Sequence, residues 1–134
     1  MGTGLKSFQD RLLQMPDRVR DAVMPEVIEG AEETAALMRR LAPVLDGDLV
    51  KSVAVTGPGQ PTPPYSQPGG SAVVPENAAA ITAGNSDVRY PHLVEYGSKH
   101  GAAQPFFWPA FRVMRGQVVG KITLAFRAAV RGQK

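Results

Sequence analysis

The stretch YPHLVEYG (residues 90–97) and, after a short polar link, the stretch QPFFWPAF (residues 104–111) hold most of the chain's large side chains. Between residues 90 and 111 lie the only Trp, three of the five Phe, two of the three Tyr and both His. Aromatic side chains dominate core energetics because each one buries a large area. The core is therefore expected to form around this region.

Glycine and proline set the backbone of this region. Gly97, which directly follows Glu95 and Tyr96, is typical of a position with positive φ that ends a helical turn and redirects the chain. We expect a turn there, and we expect Glu95 either to cap it or to pair with a neighbouring Arg.

Two prolines predict an extended elbow in the second stretch. Pro105 and Pro109 fix φ and disfavour the helical region for the residue before each of them, Gln104 and Trp108, so Phe106 to Trp108 should be extended. Pro109 is also typical of the first turn of a helix. The apolar residues of that helix recur at helical spacing: Phe111, Met114, Val118, Ile122, Phe126 and Ala129.

The aromatic cluster is predicted to be intramolecular core, with a subunit interface as the alternative, because Trp and Phe are favoured in both. Trp108 and Phe111 are expected to clamp the C-terminal helix to a sheet. The structural and interface candidates of the two stretches are Glu95, Tyr96, Gly97, Gln104, Pro105, Phe106, Trp108, Pro109 and Phe111.

The N-terminal part predicts a long, kinked helix. Apolar residues recur at steps of three and four over residues 5–23 and again over residues 27–41. A break is expected just before Pro16, because proline starts helices more readily than it continues them, and a second kink at Pro25. Pro43 should end the helix.

The middle of the chain predicts short strands and one long loop. Residues 49–56 have the β-branched content of a strand, and 72–74 and 78–83 could each form a short strand before a turn at 84–87. Residues 57–71 contain five Pro and four Gly, which predicts a protruding loop without regular structure. Such a composition buries little apolar area, so we expect this loop to contact a neighbouring subunit.

These elements predict an α+β fold in a single domain, residues 1–134. A long kinked N-terminal helix (helical residues 3–42) and a C-terminal helix, preceded by the aromatic elbow (104–131), should pack on a small, mainly antiparallel β-sheet. The strands and the long, protruding Pro/Gly-rich loop occupy residues 48–98. The size allows one modest core.

Composition excludes several classes of protein. The chain has no cysteine, so disulfides, thiol nucleophiles and Cys-based metal sites are excluded. It has no apolar run of 18 residues and no signal-peptide core, so neither a membrane span nor export is expected. We expect a soluble protein of the cytoplasm.

Charge is unevenly distributed along the chain. Residues 1–48 hold six basic and nine acidic side chains, whereas residues 99–134 hold seven basic and no acidic ones. The C-terminal helix should carry a basic face: Arg112, Arg115, Lys121, Arg127 and Arg131. An acidic partner face is expected on the N-terminal helix: Glu29, Glu32 and Glu33. The basic face could meet this acidic face on a neighbouring subunit, contact DNA phosphates, or simply be solvated.

No motif for catalysis is present. His92, Glu95 and His100 could be gathered as metal ligands, but they lack HExxH or any other ligand spacing. Ser86 or Ser98 with His92 lacks a GxSxG elbow. We therefore expect no catalytic, cofactor-binding or metal-binding residue, no cofactor and no enzyme activity.

Three blocks together resemble the tail-component family of long-tailed bacteriophages, the neck or tail-completion proteins encoded between head and tail genes. The first is Ala42-Pro43-Val44 with Gly47, Leu49 and Ser52-Val53, which is similar to the family's helix end and following strand. The second is Tyr90 through Glu95-Tyr96-Gly97-Ser98. The third is Gln104-Pro105-Phe106 with Pro109-Ala110, before a final helix. The resemblance covers roughly residues 20–131, with departures at Pro91 and in the Pro-rich loop.

The resemblance implies a structural virion protein that forms a homo-oligomeric ring, commonly a hexamer, at the head–tail junction. A neck, tail-completion or tail-terminator subunit of this kind would bind adjacent head-completion or connector proteins and tail-tube or terminator proteins. It would contact DNA only transiently in the lumen, and would reside in the host cytoplasm before assembly into the virion. The alternative is a small DNA-binding module that uses the basic C-terminal helix.

Overall fold

The computed structural model describes residues 16–44, 47–99 and 101–132. Its elements in chain order are α1 (Asp17–Leu41), α2 (Asp48–Lys51), β1 (Ala54–Thr56), β2 (Ala80–Thr82), α3 (Pro91–Tyr96) and α4 (Phe107–Arg131). The predicted α+β class is confirmed, with two long helices packed on a small antiparallel sheet. The helical pattern predicted before Pro16 lies outside the described residues.

Helix α1 follows the proline signals at both ends. It begins at Asp17, directly after Pro16, and ends at Leu41, two residues before Pro43. It runs on through Pro25 as one helix. Its buried stripe has the predicted helical spacing: Val19, Val23, Gly30, Ala31, Thr34, Ala35 and Met38.

The two long helices pack against each other in opposite directions. Val19 and Val23, near the start of α1, form one cluster with Ile122 towards the end of α4. Residues towards the end of α1 pack instead around Phe107 and Ala110 at the start of α4. Both apolar clusters of the described residues therefore contain side chains from this antiparallel pair, and the larger one also contains Leu49, Val53, Ala83 and Val88.

The helix pair approaches closely at Gly30. A Cβ atom at this position would lie 2.5 Å from Cγ1 of Val118 on α4. Atoms without a bond between them do not approach so closely, so any larger residue here would force Val118 to shift. The contact was not predicted from the sequence, because the two residues lie far apart along the chain.

The strand predicted over residues 49–56 is shorter than expected. Its first part forms the helical turn α2, which directly follows Gly47 (φ 88°), and Leu49 is buried in the core cluster with Val53 and Ala83. Only β1 remains, and it pairs antiparallel with β2 in the register Ala54↔Thr82, Val55↔Ile81 and Thr56↔Ala80. The apolar content of residues 49–56 thus reflects burial more than strand conformation.

The Pro/Gly-rich segment 57–71 does not show the predicted projection. Gly59 N–H donates to Val74 O at 2.8 Å, and Thr62 N–H donates to Ala72 O at 2.8 Å, so the segment folds back on itself. Gln67 and Ala83 then exchange two backbone hydrogen bonds, at 2.8 and 2.9 Å. The same subunit therefore provides hydrogen-bond partners for this segment, and its composition alone no longer implies a contact with a neighbouring subunit. That contact stays a prediction.

Candidate functional site

Glu95 is a buried carboxylate that caps helix α4. Its Oε1 accepts the backbone N–H groups of Phe106 and Phe107, both at 2.9 Å, and its Oε2 accepts that of Trp108 at 3.1 Å. The first N–H groups of any helix lack partners within the helix, and the positive end of the helix dipole favours an anion there. Glu95 therefore stabilises the start of α4 from outside the helix.

A tight reversal of the chain places Glu95 beneath α4. Helix α3 begins at Pro91 and ends at Gly97, whose φ is 81°, as predicted. A Cβ on Gly97 would lie 2.9 Å from Ala103 N, so both the positive φ and the close approach require glycine. Gln104 N–H then donates to Val94 O at 2.7 Å and fixes the returning chain beside α3.

The predicted extended elbow is partly wrong. Gln104 and Phe106 are outside the helix, but Phe107 and Trp108 already belong to α4. Trp108 was expected to leave the helical region because it precedes Pro109. In the first helical turn, however, proline lacks only an N–H group that would have no partner in the helix, and the Glu95 carboxylate holds the preceding N–H groups in helical position.

The aromatic side chains form a connected series at this corner. The rings of Phe106, Phe107, Trp108 and Phe111 make successive edge-to-face contacts, with centroid distances of 6.4, 5.0 and 5.8 Å. Phe106 is 1% exposed, whereas Trp108 is half-buried and donates from Nε1 to Oη of Tyr96 at 2.8 Å. Phe106, rather than Trp108, is the deepest aromatic anchor.

The outer face of α4, which we define as Val113, Gly116, Gly120, Leu124, Arg127 and Arg131, points away from α1. Val113 and Leu124 are 69% and 65% exposed, and helical spacing places them on the same side of α4. Among the described residues, no atom would lie within 4 Å of a Cβ at Gly116 or Gly120. The charges of this face were predicted from the sequence, and its two apolar residues were not.

The predicted basic and acidic faces are partly used within the subunit. Lys121 Nζ lies 3.4 Å from both carboxylate oxygens of Glu33, so this pair joins α4 to α1 of the same chain. The remaining predicted charges are exposed: Arg112, Arg115, Arg127 and Arg131 on α4, and Glu29 and Glu32 on α1.

The described residues contain no group of His, Asp and Glu that could hold a metal ion. Both oxygens of Glu95 bind backbone N–H groups, His92 is exposed, and His100 lies outside the described residues. A cleft of about 60 Å³ beside Glu95 is lined mainly by Pro and aromatic side chains. Within the described part of the chain, no helix has the length and apolar character needed to cross a bilayer.

A protein-family model described as "Bacteriophage HK97-gp10, putative tail-component" matches residues 6–97, more than half of the chain. The chain belongs to this family of phage tail components. Of the three blocks that carried the resemblance, the first lies within the matched residues, the second lies within them up to Gly97, and the third, which begins at Gln104, lies beyond them. Neither the curated proteins nor the solved structures gave a match.

Family membership sets the general role of the chain. As a tail component, it is a structural protein of a bacteriophage, resides in the virion and interacts with other virion proteins. Glu95, Tyr96 and Gly97 lie at the end of the matched range, where they shape α3. They position the start of α4.

Proposed function

We propose that this tail component forms a homo-oligomeric ring at the head–tail junction, as a neck, tail-completion or tail-terminator subunit without enzyme activity. The ring would join the tail to the head, through adjacent connector and tail-tube proteins, and leave a channel for DNA. The outer face of α4 is the observation that carries this proposal. It exposes two large apolar side chains, Val113 and Leu124, on one side of the helix.

Exposed apolar side chains grouped on one face mark interaction surfaces, whereas single exposed ones are common on any protein. Val113 and Leu124 lie on a rigid helix whose start is fixed by Glu95, so they form a preorganised surface and not a mobile one. A subunit whose task is assembly is expected to show such a surface when its neighbours are absent. A ring needs two such surfaces on each subunit, because every copy contacts a neighbour on both sides.

The test is a complementation experiment with the phage that encodes the chain. A nonsense mutation in its gene should yield filled heads and separate tails, and added purified protein should join them into infectious particles. The same preparation after irreversible heat denaturation is the control and should restore nothing. Normal joined particles from the nonsense mutant would refute the proposed function.

A second candidate function is DNA binding through α4. Four exposed arginines lie on this helix, and residues 99–134 contain no acidic side chain. If these arginines contact phosphates, the logarithm of the binding constant should fall with the logarithm of salt concentration with a slope of about −3 to −4. A slope near zero in a titration of duplex DNA would remove this candidate.

A further inference from the structure

The two long helices of the subunit present unlike surfaces in opposite directions. Helices α1 and α4 pack through facing buried stripes, so the residues half a turn away from each stripe point outwards on opposite sides of the pair. On α4 this side is the outer face already defined. On α1 it comprises the exposed residues Asp21, Pro25, Glu29, Glu32 and Ala36, which we call the outer face of α1.

These two outer faces have opposite charge. The outer face of α4 ends in Arg127 and Arg131, and Arg112 and Arg115 are also exposed on this helix. The outer face of α1 carries the carboxylates of Asp21, Glu29 and Glu32, with Arg18 and Arg40 towards the ends of the helix. Lys121 and Glu33 pair within the subunit, so the outward charges are those left available to a neighbour.

The two faces also match in length and shape. Each helix has 25 residues, which corresponds to about 37 Å. Gly116 and Gly120 form a shallow saddle between Val113 and Leu124. Glycine is among the least favourable residues inside a helix, and none of the described residues occupies the space beside these two. The contact between Gly30 and Val118 shows that this helix pair already uses glycine for close approach.

The geometry points to a second copy of this chain as the partner: the outer face of α4 in one subunit docks on the outer face of α1 in the next. The saddle admits the neighbouring helix between Val113 and Leu124. Arg127 and Arg131 face the carboxylates. This assignment rests on the proposed ring function and specifies which surfaces form the ring.

The arrangement is heterologous, because each subunit uses a different face towards each neighbour. Contacts of this type close into a ring when the rotation between neighbours fits, and otherwise continue as a filament. Because the two faces lie on opposite sides of one helix pair, one subunit can bind two neighbours at once. Exposed ion pairs add little affinity but guide register, so the apolar saddle supplies the affinity and the charges select the orientation.

The test counts labelled subunits incorporated per particle in the complementation reaction described above. Arg127→Glu with Arg131→Glu places acidic side chains against the acidic face of the neighbour, and Glu29→Lys with Glu32→Lys places basic side chains against the basic face. Each double variant alone should lose incorporation by about tenfold or more, because like charges then face each other. Lys51→Glu with Lys99→Glu, both exposed and outside either face, is the matched control and should incorporate normally.

Mixing the variants makes the test specific. In an equimolar mixture of the two double variants, a ring in which they alternate pairs opposite charges at every contact, so incorporation should return. A chain that carries all four changes should recover in the same way. If the charge-reversed variants incorporate like wild type and alter only DNA retention or ejection, α4 faces the channel and the assignment is overturned.

The glycine saddle gives an independent readout. Gly116→Ala with Gly120→Ala should raise the melting temperature of the subunit, because alanine favours helix and has free space there. The same variant should incorporate less, because the added methyl groups fill the saddle. Normal incorporation of this variant would overturn the assignment. Failure of wild-type protein itself to incorporate would instead refute the proposed ring function, so the two failures are distinguishable.

Discussion

Replacing Glu95 with alanine removes the acceptor for three backbone N–H groups at the start of α4. Two of these groups belong to Phe106 and Phe107, which are 1% and 7% exposed and so have little access to replacement water. A hydrogen bond to a charged acceptor contributes about 1.5–3 kcal/mol, and an orphaned buried donor retains its desolvation penalty. The third group, on half-buried Trp108, can be hydrated.

Counting the two buried groups, Glu95→Ala should lower the free energy of unfolding by about 3–6 kcal/mol. A domain of this kind has about 5–15 kcal/mol in total, so the variant should be close to unfolding. Glu95→Gln keeps one acceptor oxygen but loses the charge and turns an amide donor towards Trp108 N–H, so an intermediate loss of about 1–3 kcal/mol is expected.

Urea unfolding followed by circular dichroism gives these free energies directly. Glu76→Gln, which neutralises an exposed carboxylate, is the matched control and should change stability by less than about 0.5 kcal/mol. Glu95→Ala should destabilise the subunit most, Glu95→Gln less, and the control Glu76→Gln least. Wild-type stability in Glu95→Ala would refute the assignment of Glu95 as the cap of α4.

Three further predictions concern packing. Phe106→Ala should destabilise the subunit by about 3–5 kcal/mol in urea unfolding, and Trp108→Ala by less, because only Phe106 is fully buried; the reverse order would contradict the assignment of Phe106 as the main anchor. Gly30→Ala should lower stability by about 1–3 kcal/mol through its clash with Val118, and an unchanged midpoint would contradict the close crossing. Replacing residues 61–73 with a short turn should leave helical circular dichroism but reduce particle assembly, and normal infectious particles would exclude a role for this loop in subunit contact.

Backbone constraints made several features of the fold predictable from sequence. Pro16 and Pro43 bound α1 closely because proline acts on its immediate neighbours, whatever the rest of the fold does. Gly97 was predicted to have positive φ for a similarly local reason. Each of these predictions needed only a few adjacent residues.

Features that depend on distant residues could not be predicted in the same way. The sequence left two roles open for Glu95, capping a turn or pairing with an Arg. Its actual partners lie 11 to 13 residues further along the chain. The Lys121–Glu33 pair joins residues 88 positions apart. A contact between these two residues of the same chain was not among the predicted alternatives, because sequence shows which residues share a helix face but not which helix covers it.

The same limit explains the outer face of α4. Helical spacing places Val113 and Leu124 away from Ile122, but both sides of this helix contain apolar residues, and the pattern alone does not tell which side packs against α1. The structure makes that distinction. The side that remains exposed then becomes the candidate for assembly.

A reconstruction of the head–tail junction in the phage that encodes this chain would test the central claim most directly. The account predicts density for the antiparallel α1–α4 pair, repeated around the tail axis in a single ring between the head connector and the tail tube. It would be contradicted by a junction fully accounted for by other proteins, with this chain absent from the particle or located elsewhere along the tail.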